Sequence, residues 1–373
     1  MSHWACPSCG RDYSYELAEC TWCHVGLERL DPVSGVVTVV TRVDVASIEH
    51  EDVPYWVALL TTDDGSLALR KSDTPVCLGE VVPTGRVASA ELARFGIVGT
   101  GVMGQGLVEL LLSRGHTVSW VGRDLGRLQD GRRRVAGRLS RIMEEQQVHE
   151  ATSRLVVSIG LDVLSECDVV IEAVVEELAP KAAVLAAVER AMRDDAVLTT
   201  NTSGLPLDEL ASALARPERF GALHFFNPPN RMRLVETAVS PWTSVQTSMA
   251  LDEIASSLGK TPIRVAATPA FAVNRVLMPL LNEAVRELEE GVASAQSIDD
   301  AIRLGLNHPM GPLALADLIG LDVVIDIMDN LAARTNDVTY APRAMLRAMV
   351  AEGNLGRKTG EGFYTYEYRP RTT

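Results

Sequence analysis

The sequence predicts an α/β doubly wound domain followed by an all-helical domain, with a small cysteine-rich ribbon and an all-β domain ahead of both. Three observations support this fold class: paired cysteines at the start of the chain, a βαβ pattern around a glycine-rich turn, and apolar residues at helical spacing in the last third. The predicted boundaries are 1–30, 31–90, 91–270 and 271–373. A chain of 373 residues is long enough for each large domain to bury its own core.

The composition is typical of a soluble globular protein, with 47% hydrophobic and 23% charged residues. The 35 basic and 49 acidic residues give a net charge of -14, so we expect neither nucleic acid nor a membrane surface as a partner. No apolar run approaches the roughly 20 residues of a membrane-spanning helix, and no leader pattern opens the chain, which favours a cytoplasmic protein. The basic run GRRRVAGRLSR is either a solvated helix face or a surface that attracts a polyanionic substrate such as coenzyme A.

Four of the six cysteines fall within the first 23 residues, in CPSCGRDYSYELAECTWC. Two C-x2-C pairs present two pairs of thiolates, which suits a tetrahedral zinc ion. Disulfides are disfavoured in a cytoplasmic chain, and a thioredoxin-like redox motif requires a βαβ context that this stretch lacks. We therefore expect a structural zinc ion bound by Cys6, Cys9, Cys20 and Cys23.

The next segment alternates apolar and polar residues in SGVVTVVTRVDV and YWVALLTTDDGSLALR, which predicts strands joined by a hairpin at Asp64 and Gly65. Together with the ribbon, it resembles acyl-CoA-associated proteins in which a rubredoxin-like zinc ribbon precedes an OB-fold. That resemblance implies an accessory module for acyl-thioester chemistry, which could bind a partner enzyme. OB-folds often bind oligonucleotides, but residues 31–90 hold nine acidic and four basic residues, which argues against nucleic acid.

A dinucleotide-binding pattern begins near residue 93, in ARFGIVGTGVMGQGLVELLLSRGHTVSWVGRD. An apolar strand runs into a G-x-G-x-x-G turn, a helix and a second strand, as in a Rossmann domain. The glycines allow the tight turn and the approach of backbone to the pyrophosphate, which the start of the helix faces. The residues expected at the cofactor are Gly99, Gly101, Val102, Met103 and Gly104.

The second strand ends in Gly122-Arg123-Asp124, where an NAD-binding domain usually has an acid for the ribose hydroxyls. A small residue followed by arginine leaves room for a 2′-phosphate and supplies a guanidinium to bind it. This favours NADP over NAD, with Arg123 as its ligand. Alternatively, Arg123 is a solvated loop residue and Asp124 bends back to hold the ribose of NAD.

Two polar residues follow later apolar strands of the same domain. Ser203 comes directly after AVLTTNT, and His224 lies within GALHFF. Since ligands of doubly wound sheets collect at the carboxyl ends of the strands, both side chains could line one crevice. Taken alone, a histidine among apolar residues such as His224 is more often a packed, hydrogen-bonded core residue than a catalyst.

Several motifs together change that interpretation: EAVVEELAPK, NTSGL, HFFNPP, LVE, PAFAVNRVLMPLLNEAVRELEEGVAS, LGLNHPMGPLALADLIGLD and LGRKTGEGFYTY. In this order, from about residue 94 to 366, they resemble the 3-hydroxyacyl-CoA dehydrogenase family, and most of all its short, single-function 3-hydroxybutyryl-CoA dehydrogenases. The resemblance implies fatty acid metabolism: oxidation of an (S)-3-hydroxyacyl thioester to the 3-keto thioester, or the reverse, by hydride exchange with a nicotinamide.

The resemblance also implies roles for individual residues. His224 corresponds to the catalytic base and Glu236 to its acidic partner, a pairing that suits removal of a hydroxyl proton near neutral pH. Ser203 and Asn274 correspond to substrate-positioning residues, although either could instead cap a helix. The residues expected near the nicotinamide are Glu176, Lys181 and Asn201. Glu176 and Lys181 could otherwise be surface charges.

Apolar residues repeat at helical spacing from Val273 to Leu288, including Val276, and further apolar helices follow. The family resemblance implies that this helical domain closes the substrate cleft and forms a homodimer. Two other functions stay open: a dehydrogenase acting on a carrier-protein-bound or free hydroxy acid, and a non-catalytic acyl-CoA-associated scaffold. A preference for NADPH would favour the reductive direction in a biosynthetic pathway.

Overall fold

The computed structural model describes residues 93–366 in full, together with the backbone of seven strands before them. The chain divides into two compact units, residues 1–91 and 92–373. The strands of the first unit are β1 (His3–Ala5), β2 (Asp12–Tyr13), β3 (Glu28–Leu30), β4 (Gly35–Val43), β5 (Tyr55–Thr62), β6 (Leu67–Ser72) and β7 (Val81–Val82).

These strands form two antiparallel sheets, with the orders β2-β1-β3 and β6-β5-β4-β7. Strands β5 and β6 pair from Thr61 with Leu67 onward, on either side of the predicted hairpin turn. The turn residues and the four cysteines expected to bind zinc lie outside the described residues. The zinc ribbon and the OB-fold therefore stay predictions.

The second unit contains an eight-stranded sheet with the order β10-β9-β8-β11-β12-β13-β14-β15. The six strands from β8 to β13, numbered 1 to 6 along the chain, lie in the order 3-2-1-4-5-6 of a Rossmann domain, and neighbours among them are parallel. The bounds are β8 (Arg94–Val98), β9 (Thr117–Val121), β10 (Leu155–Ser158), β11 (Val169–Glu172), β12 (Val197–Thr200), β13 (Phe220–Phe225), β14 (Leu234–Val239) and β15 (Thr261–Arg264). The α/β doubly wound prediction is confirmed for this unit.

Helices connect the strands of this sheet: α1 (Val102–Ser113), α2 (Leu125–Leu139), α3 (Glu145–Ser153), α4 (Leu178–Ala191), α5 (Leu207–Ser212) and α6 (Val245–Ser257). Trp120 of β9 is fully buried, and α2 can approach it only because Gly131 has no side chain: a Cβ at that position would clash with the indole ring. The indole N–H donates to the carbonyl oxygen of Gly99 at 2.8 Å. A core aromatic residue thus holds the glycine-rich turn in place.

The predicted helical domain is also confirmed, as α7 (Val273–Glu289), α8 (Ala295–Gly305), α9 (Pro312–Ile319), α10 (Leu321–Thr335) and α11 (Ala344–Ala351). Its core includes Met278 and Leu281 of α7. The expectation that Val276 shares this buried face is wrong, since it is 72% exposed. None of the described helices combines the length and the apolar character needed to cross a membrane.

Candidate active site

The glycine-rich turn between β8 and α1 has a shape that requires glycine at two positions. Gly99 has a φ of +127°, and a Cβ there would clash with the carbonyl oxygen of Ala173. A Cβ at Gly104 would clash with the carbonyl oxygen of Gly99, so the helix and the turn touch. By contrast, a Cβ at Gly101 would meet no atom within 4 Å, so this position faces open space.

The start of α1 suits a pyrophosphate. No side chain caps the helix at Gly101, and its first turn contains no acidic residue. Its first backbone N–H groups are therefore left for an anion, which the helix dipole also favours. Val102 is exposed at this end, and Met103 is half-buried. These residues fit the phosphates of a dinucleotide.

His224 and Glu236 form a buried pair on adjacent strands. The antiparallel register of β13 and β14 places the two residues directly opposite each other. His224 Nδ1 lies 2.8 Å from Glu236 Oε2, and the residues are 5% and 1% exposed. Phe226 and Phe271 flank the imidazole, with ring centroids at 4.6 and 5.5 Å.

The second carboxylate oxygen of Glu236 binds the start of α7. Oε1 accepts the backbone N–H groups of Ala272 at 3.0 Å and Val273 at 2.9 Å. Burial acts to raise the pKa of Glu236, but the hydrogen bonds from His224, Val273 and Ala272 outweigh it and hold this pKa below its usual range. The carboxyl is therefore ionised at neutral pH and can stabilise positive charge on the imidazole.

Ser203 is bound to Glu176. Glu176 Oε1 accepts the backbone N–H of Ser203 at 2.7 Å and its hydroxyl at 3.1 Å, and also the hydroxyl of Thr202 at 2.6 Å. The other oxygen, Oε2, lies 3.2 Å from Lys181 Nζ. Burial acts to raise the pKa of Glu176, but Lys181 and the Thr202 and Ser203 donors lower it below its usual range.

The segment before α7 contacts both the loop that carries Ser203 and the imidazole of His224. A Cβ at Gly204, next to Ser203, would lie 2.7 Å from the backbone nitrogen of Ala270, and Phe271 packs beside His224. Ala270 and Phe271 both have positive φ angles, of 62° and 50°, which non-glycine residues rarely adopt. The junction leading into α7 is thus a strained turn that contacts both the serine loop and the histidine.

Comparison with known proteins identifies the family of the chain. A family model described as "3-hydroxyacyl-CoA dehydrogenase, NAD binding domain" matches residues 94–268, and one described as "3-hydroxyacyl-CoA dehydrogenase, C-terminal domain" matches residues 271–366. The chain belongs to the 3-hydroxyacyl-CoA dehydrogenase family. The matched NAD-binding domain supports a nicotinamide cofactor for this dehydrogenase.

Individual relatives cover the same region. A 3-hydroxybutyryl-CoA dehydrogenase from Clostridioides difficile is 39% identical over 278 residues, which are 73% of this chain and 99% of the relative. The crystal structure of FadB2 from M. tuberculosis has a TM-score of 0.72 and 38% identity, covering 74% of this chain and 99% of the other. The crystal structure of (S)-3-hydroxybutyryl-CoA dehydrogenase from Ralstonia eutropha has a TM-score of 0.70 and 39% identity, covering 74% and 100%.

Strand β9 ends at Val121, and Gly122 follows at the point where an NAD-binding domain usually has an acid for the ribose. The next acid, Asp124, is the N-cap of α2, where Oδ1 accepts the backbone N–H of Arg127 at 2.9 Å. This engagement counts against the alternative in which Asp124 bends back toward a ribose. Arg123 is exposed, and within residues 93–366 it forms no ion pair.

Three predicted site residues are neither surface charges nor helix caps. Lys181 is 1% exposed and is not a surface charge, whereas the Glu176 side chain is 36% exposed. Ser203 caps no helix, because α5 begins at Leu207 after Pro206. Asn274 is buried within the first turn of α7, whose N-cap is Ala272.

Asn201 connects two strand ends of the sheet. Its Oδ1 accepts the backbone N–H of Phe225 at 2.9 Å, at the end of the strand that carries His224. Within residues 93–366, no group of three or more His, Cys, Asp or Glu side chains could hold a metal ion.

Sequence reasoning missed Glu172, at the end of β11. Its side chain is 0% exposed and lies 2.7 Å from Lys181 Nζ. A glutamate that ends a strand of otherwise apolar residues, VVIE, was the available signal, because a charge buried at a strand end requires a partner.

Proposed function

We propose that the chain is an (S)-3-hydroxyacyl-CoA dehydrogenase that acts on short acyl chains such as 3-hydroxybutyryl-CoA. The observation that supports this most strongly is the buried pair of His224 and Glu236, in a chain of the 3-hydroxyacyl-CoA dehydrogenase family. Relatives 38–39% identical over most of the chain are named 3-hydroxybutyryl-CoA dehydrogenases.

His224 is the proposed general base. Oxidation at carbon 3 requires the hydroxyl proton to leave as the C–H bond is broken, and His224 Nε2 accepts that proton while Nδ1 stays bound to Glu236. The ionised Glu236 stabilises the imidazolium and fixes the ring. The bound nicotinamide supplies the acceptor of the hydride, or its donor in the reverse reaction.

Two further groups of residues are proposed to orient the substrate and the cofactor. The Ser203 hydroxyl and the Asn274 amide bind the reacting oxygen and the thioester carbonyl, so that the hydroxyl meets His224. Asn201, Glu176 and Lys181 lie at the nicotinamide end of the cofactor site, with Gly99, Gly101, Val102, Met103 and Gly104 at the pyrophosphate.

NADP is the proposed cofactor, with Arg123 binding the 2′-phosphate. Support comes from Gly122 in place of the acid, the use of Asp124 as a helix cap, and an exposed guanidinium without an ion pair in residues 93–366. A reductive, biosynthetic direction follows from this cofactor. The thioester is that of coenzyme A, and an acyl-carrier thioester is the alternative.

The first experiment measures reduction of acetoacetyl-CoA with NADPH and NADH in parallel, with the His224→Ala variant as a control. Turnover that is lost in the variant supports the dehydrogenase, and a lower KM for NADPH supports the cofactor assignment. Turnover with carrier-bound or free 3-keto acids only, or none despite dinucleotide binding, would instead favour the hydroxy-acid or scaffold alternatives.

Arg123→Ala tests the cofactor assignment separately. We expect kcat/KM to fall about tenfold or more with NADPH and to change little with NADH, because a charge-assisted contact to phosphate is removed. Arg190→Ala, an exposed arginine at the end of α4, is the matched control. Equal effects on both cofactors would overturn the assignment.

We further propose a cytoplasmic homodimer with a structural zinc ion. Exposed apolar side chains on the helical domain support self-association: Val276, Val292, Leu304, Leu306 and Val338. Light scattering tests the dimer, and metal analysis before and after replacement of Cys6 and Cys9 tests the zinc. The first unit is the proposed docking module for a partner enzyme, which affinity measurements with and without residues 1–91 would test.

A further inference from the structure

Glu172 and Lys181 form an ion pair that is withdrawn from water, with side chains 0% and 1% exposed. Such pairs contribute little net stability, because the loss of hydration offsets the attraction between the charges. The proposed function gives Lys181 a role near the nicotinamide but gives Glu172 none. The contacts of Glu172 indicate a role other than stability.

Both oxygens of the Glu172 carboxylate accept hydrogen bonds. Oε1 accepts Lys181 Nζ at 2.7 Å and the backbone N–H of Val174 at 2.6 Å, and Oε2 accepts the hydroxyl of Thr200 at 2.6 Å. Thr200 ends β12, the strand that leads to Ser203. Glu172 is thus fixed to the ends of two adjacent strands.

Lys181 connects Glu172 to the glutamate that holds Ser203. Its ammonium contacts Glu172 on one side and Glu176 Oε2, at 3.2 Å, on the other. Glu176 Oε1 in turn holds both the backbone N–H and the hydroxyl of Ser203. In residues 93–366, these two carboxylates are the acidic partners of Lys181.

We propose that Glu172 is a positioning residue of the dehydrogenase site, acting through Lys181 and Glu176 on the hydroxyl of Ser203. The proposal rests on the proposed role of Ser203 in binding the reacting oxygen. Because one Glu176 oxygen holds both the backbone N–H and the hydroxyl of Ser203, the side chain is in place before substrate arrives, and the hydroxyl has only to turn its proton from Glu176 to the reacting oxygen.

The key variant is Glu172→Gln. An amide offers one acceptor oxygen where the carboxylate offers two, so one of its present donors faces an NH₂ group, and Lys181 loses a charged anchor. Lys181 is then drawn toward Glu176 and competes with Ser203 for it. We expect kcat for acetoacetyl-CoA reduction to fall roughly 10- to 100-fold, with little change in KM, because orientation is lost in the transition state.

A double-mutant cycle with Ser203→Ala tests whether the effect passes through the serine. In the Ser203→Ala background, Glu172→Gln should lower kcat by less than about twofold, because there is no serine hydroxyl left for Glu172 to position. Independent effects that multiply would overturn the proposal. Glu172→Asp retains the charge and should recover part of kcat, and it replaces the glutamine variant in the cycle if that variant does not fold.

Glu189→Gln is the matched control. Glu189 is a buried carboxylate on the same helix as Lys181, where it accepts the backbone N–H groups of Ala215 and Arg216 at 2.8 Å each. It lies eight residues from Lys181, about 12 Å along the helix. We expect it to lower the thermal midpoint without changing kcat. An equal loss of kcat would mean general destabilisation and would overturn the proposal.

A crystal structure of Glu172→Gln separates this proposal from the proposed function. We call the contacts from Glu172 through Lys181 and Glu176 to Ser203 the relay. The relay predicts that the Ser203 hydroxyl moves away from Glu176 in the variant, whether or not any thioester is turned over. A Ser203 that keeps both contacts would overturn the relay even in an active dehydrogenase. An inactive wild-type enzyme with a displaced Ser203 in the variant would overturn the proposed function and support the relay.

Discussion

Two buried carboxylates in this dehydrogenase have nearly the same surroundings and different consequences. Glu236 in the sheet and Asp317 in the helical domain are each 1% exposed, and each accepts two backbone N–H groups and one side-chain donor. The third partner differs: an imidazole for Glu236, and the hydroxyl of Tyr366 for Asp317, at 2.9 Å.

The partner determines what each carboxylate can do. An imidazole can accept a proton at one ring nitrogen while the other stays hydrogen-bonded to Glu236, so this pair can change charge during a reaction. Burial and the bond to Asp317 raise the pKa of Tyr366 to about 12, so this pair does not change charge under ordinary conditions. Asp317 instead anchors the C-terminal segment through Phe363 and Tyr364. Hydrogen-bond count alone therefore does not distinguish the carboxylate proposed to support the base from one that anchors a segment of the chain.

The largest expected effect concerns the imidazole itself. His224→Ala should lower kcat by about 10²- to 10⁴-fold, because it removes the proposed general base. Dinucleotide affinity and thermal midpoint should change far less. His116→Ala replaces another buried histidine, at the amino end of β9 and thus away from the strand ends that form the site, and should leave kcat intact. Full activity in His224→Ala would remove the distinction between the two carboxylates.

The next largest effect is expected when each carboxylate is replaced by its amide. Glu236→Gln should lower kcat roughly 10- to 100-fold, since the residue that orients and supports the histidine loses its charge. Asp317→Asn should leave kcat nearly unchanged while it lowers the thermal midpoint. Steady-state kinetics and thermal unfolding of both variants test this. A loss of kcat in Asp317→Asn as large as that in Glu236→Gln would contradict the division of roles.

Acidification should change the contributions of Glu236 and Asp317 to the free energy of unfolding in opposite directions. The pKa of Glu236 is lowered on folding, so its stabilisation is full above the ordinary glutamate value and is lost as the pH falls through the folded value. Burial raises the pKa of Asp317, although Phe363, Tyr364 and Tyr366 oppose it, so protonation favours the folded state.

Urea unfolding at about pH 7 and about pH 4 measures this difference. Relative to Glu236→Gln, the wild type should lose free energy of unfolding as the pH falls. Relative to Asp317→Asn, it should gain. The same sign for both variants would show that the two environments do not differ as described.

The smallest effect concerns the phenol. Tyr366→Phe removes one hydrogen bond to Asp317 and should reduce the free energy of unfolding by about 1 kcal/mol. Turnover should be unaffected. Tyr340→Phe, at a half-buried tyrosine packed against the same core, is the control. A changed kcat in Tyr366→Phe would place the Asp317 cluster within the functional site.

Sequence reasoning was most successful where a local pattern determines the backbone. The glycine-rich turn, its flanking strand and helix, and the helical domain all follow from short-range spacing. The prediction for Val276 failed because the same spacing does not show which helical positions a neighbouring helix covers. Glu172 and Asp317 were missed because their partners lie 9 and 46 to 49 residues away, at distances that only the folded sheet and the C-terminal segment bring together.

The functional residues were predicted from family resemblance rather than from spacing. Nothing in the sequence alone pairs His224 with Glu236, because their contact depends on an antiparallel register within an otherwise mostly parallel sheet. Burial was equally hard to predict: Lys181 reads as a helix surface charge until Glu172 is seen beneath it. The roles of both residues remain proposals.

The bonds from Ala272 and Val273 to Glu236 cross from the start of the helical domain into the sheet. The carboxylate beside the proposed base is therefore kept ionised in part by backbone groups of a neighbouring domain, which help to lower its pKa. A chimera that joins this sheet to another family member's helices would have to supply the same two N–H groups, so the first turn of α7 belongs functionally to the sheet.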